Sequence, residues 1–471
     1  MKINLSKRDA VWSLIGTFLS MGVNFIMLPF ILHFLDDDSV GFYYILTSLS
    51  GIVVMFDFGF SPSISRNMAY AWCGAKNLQK QGGDVGNHIE PNYELMKAIV
   101  STCKRIYFTI SFFALLLCAT LGSIYIFSIT RGYNKQSYFW AWGIYAFAIV
   151  VNLLVGYYTV FLRGVGAVSQ ANKATVYSRI IQIVLTIVFL VSGFGILGVA
   201  LAYFLYGITF RVLANRYFVH FHNIGHKLKI ITVNNQDYHW KRILGIIWSS
   251  TWRDGIVTVS NYILNQSTTI IASLYLTLYE TGLYSQSVQL MSAIAQIAGT
   301  MYTAYQPALQ SAYVNGQKMK QRDYMSAIIV SFVILFVLGT IVLIIVGLPM
   351  IRLIKPSYTV QIPLLLAVGL YQFILKYRNA YTSFLSTTNR IIYSRAFLVS
   401  AFICIGLSIL FTGVLEYGVY GLVIAQIISQ IVYNVWRWSM MVHKELQYSY
   451  IDTFRYGTAE LLQFVSKKEK R

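Results

Sequence analysis

The sequence predicts an all-α integral membrane protein: about twelve spanning helices in two six-helix lobes. Three observations lead there. First, 56% of the 471 residues are hydrophobic and only 11% are charged, against ~25% charged in a soluble domain; mean hydropathy is +0.59. Second, the apolar runs are continuous rather than alternating, and many reach the roughly 20 residues that a helix needs to cross hydrocarbon. Third, the basic residues fall on alternate loops, as topology signals do.

The spans are read, in order, at 10–34, 41–65, 98–128, 137–162, 172–193, 196–219, 243–275, 283–309, 325–348, 360–386, 391–413 and 418–441. The third and seventh are long enough to tilt or to extend into the cytoplasm. With the N-terminus inside, the six outer loops hold Arg131, Lys135, Arg352 and Lys355 as cations, and Asp36, Asp37, Asp38, Glu280 and Glu416 as acids. The inner segments hold most of the remaining cations, from Lys2, Lys7 and Arg8 to the tail Lys467, Lys468, Lys470 and Arg471. That bias places both termini in the cytoplasm and requires an even number of spans, because one miscounted span would invert every later loop. The opening MKINLSKRDA leads into a run too long for a signal-peptide core.

The halves repeat. Leu35, Gly41, Tyr43 and Leu49 recur as Leu276, Gly282, Tyr284 and Leu290, each shifted by 241 (276 − 35). Tyr158-Thr159-x-Phe161-Leu162 recurs as Tyr381-Thr382-x-Phe384-Leu385, shifted by 223 (381 − 158). At the same shift, Gly195-x-x-Gly198-x-x-x-Ala202 recurs as Gly418-x-x-Gly421-x-x-x-Ala425. An even number of spans per half makes this a parallel pseudo-two-fold repeat about the membrane normal. The expected organisation is an N-terminal lobe at 1–222, a cytoplasmic linker at 223–240, a C-terminal lobe at 241–446 and a basic cytoplasmic tail at 447–471.

A net charge of +20 on a soluble chain would suggest nucleic acid. Here the cations serve as topology signals and surface anchors, so no nucleic-acid partner is expected. No Gly-Lys dipeptide exists, hence no GxxxxGK[ST] phosphate loop; HExxH, GxSxG and CxxC spacings are absent too. Cys73, Cys103, Cys118 and Cys404 lie in or beside apolar helices without metal spacing, and His220, His222 and His226 stand in a basic loop with no acid or cysteine to complete a site. The chain is therefore read as a transporter rather than an enzyme, with no cofactor and no metal.

What remains is charge at membrane depth, where an ion costs at least ~2.5–3.5 kcal/mol and so faces water or a partner. Arg253 and Asp254 lie deep in the seventh span, Lys376 and Arg378 in the tenth and Asp57 in the second; Arg66, Lys104, Arg105, Arg179 and Arg211 lie nearer inner ends, where snorkelling explains them. Adjacent helical residues point about 100° apart, so Arg253 and Asp254 each need a separate partner. Shifted by 223, Lys376 and Arg378 correspond to Leu153 and Val155; shifted by 241, Arg253 and Asp254 correspond to Trp12 and Ser13. Charges present in one half only look grafted for a ligand, and deep cations with few acids suit a phosphate or pyrophosphate. Arg253, Lys376, Arg378 and Arg66 are the candidate substrate-cavity residues; Asp57 and Asp254 are candidates for ion coupling or charge partnership. With 35 Tyr, 30 Phe and 9 Trp, and with Asn152, Asn261, Asn265, Gln266, Gln289, Gln296 and Gln372 inside spans, a wet lumen could also bind sugar faces.

Trp12-Ser13-Leu14, Leu28-Pro29-Phe30, and Leu35 through Gly41-Phe42-Tyr43 resemble the first two helices of polysaccharide flippases; Asp57-Phe58-Gly59-Phe60-Ser61-Pro62 running to Arg66 is similar to that family's Asp-x-Gly element before an Arg. The motifs cover about the first 70 residues, and the twelve spans with their two-half repeat extend the likeness over the chain. The resemblance is to O-antigen (Wzx-type) flippases of the multidrug/oligosaccharidyl-lipid/polysaccharide (MOP) superfamily. It implies alternating access between two lobes around a cationic cavity, an undecaprenyl-pyrophosphate-linked oligosaccharide as cargo, and a bacterial inner membrane location. H+ or Na+ bound at Asp57 or Asp254 could reset the lobes, and a purely gradient-driven exchange of lipid carriers is equally compatible; membrane lipids and a polysaccharide polymerase are the expected partners. The rival readings are a multidrug exporter of the same superfamily, which should need deep acids, and a membrane-embedded glycosyltransferase or ligase, which should show a sizeable outer domain.

Overall fold

The computed structural model describes residues 7–78, 90–133, 136–232, 238–302, 305, 309, 312–313, 317–356, 360–387 and 392–469. They are helical almost throughout, and each of the twelve expected spans is occupied by helix. We number the spans α1 (Lys7–Phe34); α2, in three pieces (Asp37–Ser50, Ile52–Asp57 and Phe60–Trp72); α3 (Tyr93–Thr130); α4 (Gln136–Gly164, broken after Leu154); α5 (Val168–Val191); and α6 (Gly195–His220). There follow α7 (Trp240–Tyr262, running through Ile263–Ser267 to Thr268–Tyr275), α8 (Leu278–Ala298), α9 (Lys318–Ile354), α10 (Ile362–Thr387), α11 (Ser394–Val414) and α12 (Gly418–Leu446). Eight stretches among the described residues are long and apolar enough to cross a membrane on length and composition alone. The spans at α7, α8 and α10 fall below that mark; α10, for instance, carries Gln372, Lys376, Arg378 and Asn379.

Large apolar side chains cover the outside of these helices. Phe112, Phe113, Leu121, Ile124 and Phe127 on α3 are exposed, as are Leu338, Ile341, Val342, Ile345 and Val346 on α9. A continuous apolar surface of this kind fits lipid as the solvent, with every backbone group satisfied inside its own helix.

The repeat is visible in the backbone. Asp36 caps α2 by accepting from the Ser39 N–H, and Thr277 caps α8 by accepting from the Glu280 N–H. Both pairs keep the shift of 241 (277 − 36 and 280 − 39). Before α6 and α12, Gly193 and Gly195 take φ of +81° and +53°, and Glu416 and Gly418 take +55° and +58°. These pairs keep the shift of 223 (416 − 193 and 418 − 195), so two left-handed residues turn the chain at both places. Phe161, Leu162, Phe384 and Leu385 are all fully buried.

The chain forms two compact units, Met1–Tyr262 and Ile263–Arg471. The boundary at 241 expected for the second lobe does not coincide with this division. The first part of α7, Trp240–Tyr262, packs within the first unit against Ile52–Asp57, Phe60–Trp72 and α3. Ile243 and Ile247 are buried in the first unit's apolar cluster, and Ser63 donates to the Ile247 carbonyl. The linker contains a short helix, Ile224–Ile230. The basic tail is also helical: α13 (Tyr450–Glu469) lies along α9, and Gly457 permits an approach in which an added Cβ would come 2.6 Å from the Ser326 carbonyl.

Candidate functional site

In the first unit the backbone of α2 breaks at Asp57. Ile52–Asp57 ends because Phe58 and Gly59 take left-handed conformations, φ +43° and +74°. The next helix, Phe60–Trp72, then starts with bare N–H groups, and Asp57 reaches forward to them. Its carboxylate accepts from the Ser61 N–H at 3.1 Å and from the Ser61 hydroxyl at 2.9 Å. The Tyr107 hydroxyl, from α3, donates to it at 2.5 Å. Among the described residues, Ser61 and Tyr107 are its hydrogen-bond donors. The first part of α7 passes this break closely: a Cβ on Gly255 would meet the Phe58 ring at 2.5 Å and its carbonyl at 2.7 Å. The backbone of Arg253 and Asp254 thus runs beside the Asp57 junction, while their side chains lie outside the described residues. Arg66, farther along Phe60–Trp72, is exposed.

A second cluster in the first unit joins α4, α5 and α6. Arg179 stacks on Tyr206 at 4.3 Å and donates to Gln182 Oε1 at 2.7 Å. Arg211 donates to the Asn152 carbonyl from Nη2 at 2.9 Å and from Nε at 3.3 Å. That carbonyl lies where α4 breaks, so the guanidinium caps a helix end. Gly207 makes the approach possible, since a Cβ there would collide with Asn152 Oδ1. Around the arginines runs an aromatic ladder: Tyr145 stacks on Tyr203 at 4.3 Å, Tyr203 lies 6.1 Å from Tyr206, and Tyr206 stacks on Phe210 at 6.0 Å.

In the second unit Arg378 and Lys376 separate. Two residues apart on a helix means roughly 200° around it. Arg378 is fully buried. Its guanidinium donates to Gln430 Oε1 at 2.6 Å and to Asn379 Oδ1 at 2.8 Å, and stacks 3.7 Å from the Phe397 ring. Lys376 is half-buried. Of this expected pair, then, one cation is sealed into the packing of α10, α11 and α12 and the other keeps access to its surroundings. The idea that a charge found in one half only must be meant for a ligand does not fit Arg378, whose side chain is fully buried.

The structure brings the Asp57 junction and the Arg253–Asp254 backbone together within one unit and leaves Lys376 and Arg378 in the other. Sequence reasoning assigns Arg179 and Arg211 to snorkelling and misses their part in a cluster. One signal is present: Tyr203, Tyr206 and Phe210 recur at i, i+3 and i+7 on α6, a face completed by Arg211.

The chain has counterparts among known proteins in sequence family and in fold. A family model described as "Polysaccharide biosynthesis protein" matches residues 6–312. Among curated proteins none matches the sequence. Among solved structures, an inward-facing multidrug resistance MATE family transporter of the MOP superfamily is similar, with TM-score 0.67 and 15% identity over 94% of this chain and 99% of its own. A MOP superfamily transporter from Pyrococcus furiosus, described by the reverse polarity of its binding pocket, matches with TM-score 0.54 and 14% identity over 94% and 96%. The MATE multidrug transporter DinF-BH, solved as a complex, matches with TM-score 0.57 and 14% identity over 94% and 95%. At such identities these likenesses establish the fold.

Proposed function

The chain belongs to the polysaccharide biosynthesis protein family, and we propose that within it this is a flippase. It carries an undecaprenyl-pyrophosphate-linked oligosaccharide, an O-antigen or related surface repeat unit, from the inner to the outer leaflet of a bacterial inner membrane by alternating access. Both termini lie in the cytoplasm, and the polymerase that consumes the repeat unit is the natural partner.

The observation that carries this reading is that the contacts described for Arg179 and Arg211 are with neutral groups: an amide, a carbonyl and aromatic rings. Cations at membrane depth without acids beside them keep their field for an anion. A pyrophosphate entering from water loses hydration, and arginine forks can replace it with paired hydrogen bonds. Tyrosine faces suit sugar rings, while the polyprenyl chain stays in lipid. Lys376, Arg66 and Arg253 are further candidates to hold the phosphates. Asp57, beside the Asp254 backbone, is the candidate proton or Na+ carrier.

The runner-up is a multidrug exporter, favoured by the fold shared with multidrug transporters. It fares less well because a carrier of cationic drugs needs acids where these arginines stand. The test is a genetic one. Replacing Arg179 and Arg211 by Gln, singly, should lower surface-glycan display roughly ten-fold at normal protein level, the size of a lost charge-assisted hydrogen bond. Full display in both variants, with drug export lost instead, would favour the runner-up.

A further inference from the structure

On the second unit a groove of about 430 Å³ runs between α11 and α12, within the ~300–1,000 Å³ range of small-molecule sites. One wall is a single helical stripe of α11, Arg395, Ala396, Val399, Ser400 and Ile403, with Ile392 in the turn before it. The other is the stretch where α12 is interrupted between Ile431 and Asn434. The opposite face of α11, at Phe397, turns inward to Arg378, so the groove lies on the outside of that core. Val399 and Val432 at its rim are more than half exposed.

Among the described residues of the lining the one charge is Arg395, near the start of α11. The polar groups of the floor are already engaged. Ser429 donates to the Gln426 carbonyl, Ser400 accepts from Asn434, and the Trp438 indole donates to Asn434 Oδ1. The interior therefore offers an occupant hydrocarbon contact, and the mouth offers a guanidinium. Apolar depth with a cation at a helix end matches an amphiphile with an anionic head, since basic pockets between spanning helices attract such headgroups.

We propose that this groove binds a membrane phospholipid of net negative charge, one chain lying along Val399 and Val432 and the phosphate on Arg395. The proposal concerns the outside of the second unit and does not depend on what the protein transports. The experiment uses the full chain in detergent micelles and native mass spectrometry, with phosphatidylglycerol, phosphatidylcholine or inorganic phosphate added. Wild type should retain one more phosphatidylglycerol than Arg395→Gln does, with apparent affinity falling roughly five-fold in the variant. Val399→Trp, which fills the groove from an exposed position, should remove the same bound lipid while the lipid-free melting temperature stays unchanged. Equal retention of phosphatidylglycerol by wild type and both variants would overturn the proposal. So would equal retention of phosphatidylcholine and phosphatidylglycerol by wild type, or occupancy of Arg395 by inorganic phosphate alone.

Discussion

Arg378 shows what a single residue's neighbours decide. On α10, Leu364, Val368, Tyr371, Leu375, Arg378, Thr382 and Leu385 are all buried. They recur every three or four residues, so Arg378 sits on the stripe that packs inward and Lys376 falls off it. That periodicity could be read in the sequence, but an arginine on an apolar stripe invites a functional explanation, and only its neighbours reveal Gln430, Asn379 and Phe397 closing around it. Arg378→Leu leaves the Gln430 and Asn379 oxygens unpaired in a sealed core, so it should cost about 1–3 kcal/mol of stability, seen as a lower melting temperature. Lys376→Gln should leave melting within about 0.5 kcal/mol and lower glycan display. The reverse pattern, a stable Arg378→Leu and an unfolded Lys376→Gln, would show that we have exchanged their roles.

Among the elements, the broken helices set the geometry. The break at Asp57 needs Gly59 in a left-handed conformation and a side chain to cap the helix beginning at Phe60, and both are in the sequence as Asp57-Phe58-Gly59. Asp57→Ala removes the cap and Tyr107's acceptor and should cost about 1–2 kcal/mol. Asp57→Asn retains an oxygen to cap Ser61, so it should fold; if Asp57 carries the coupling proton, this variant should transport without pH dependence. Transport by Asp57→Asn with an unaltered pH profile would remove the coupling role. The α4 break, by contrast, was not legible, because Asn152, Gly207 and Arg211 lie far apart in sequence and meet only once α4 and α6 pack. Gly207→Ala should push Asn152 aside and cost about 1–3 kcal/mol of stability. Outside the spans, Ser449 and Asp452 cap α13 reciprocally. Hydrogen bonds from Ser449 hold the Asp452 carboxyl below its usual range. A lowered acid contributes above its ordinary pKa, and the contribution fades as pH falls through the lowered value. Hydrogen-exchange protection in the first turn of α13 should therefore decline in acid, and Asp452→Asn should abolish that decline.

For the molecule as a whole, spans and repeat were readable because lipid imposes a simple rule on sequence: continuous apolar helices, with cations on one side. The two shifts, 241 and 223, reappear as matched caps and matched left-handed turns. The boundary between the units was less legible. Charge and hydropathy mark where a span begins but not which neighbours it packs against, and the first part of α7 joined the first unit through Ile243, Ile247 and Gly255. The proposed cargo follows from family membership and from cations whose described partners are neutral. Its most direct test is the pool of lipid-linked repeat units in cells lacking this protein, measured on each side of the inner membrane. We expect undecaprenyl-pyrophosphate-linked oligosaccharide to accumulate on the cytoplasmic side, with surface glycan restored by the wild-type chain. An unchanged pool with normal surface glycan would contradict the account.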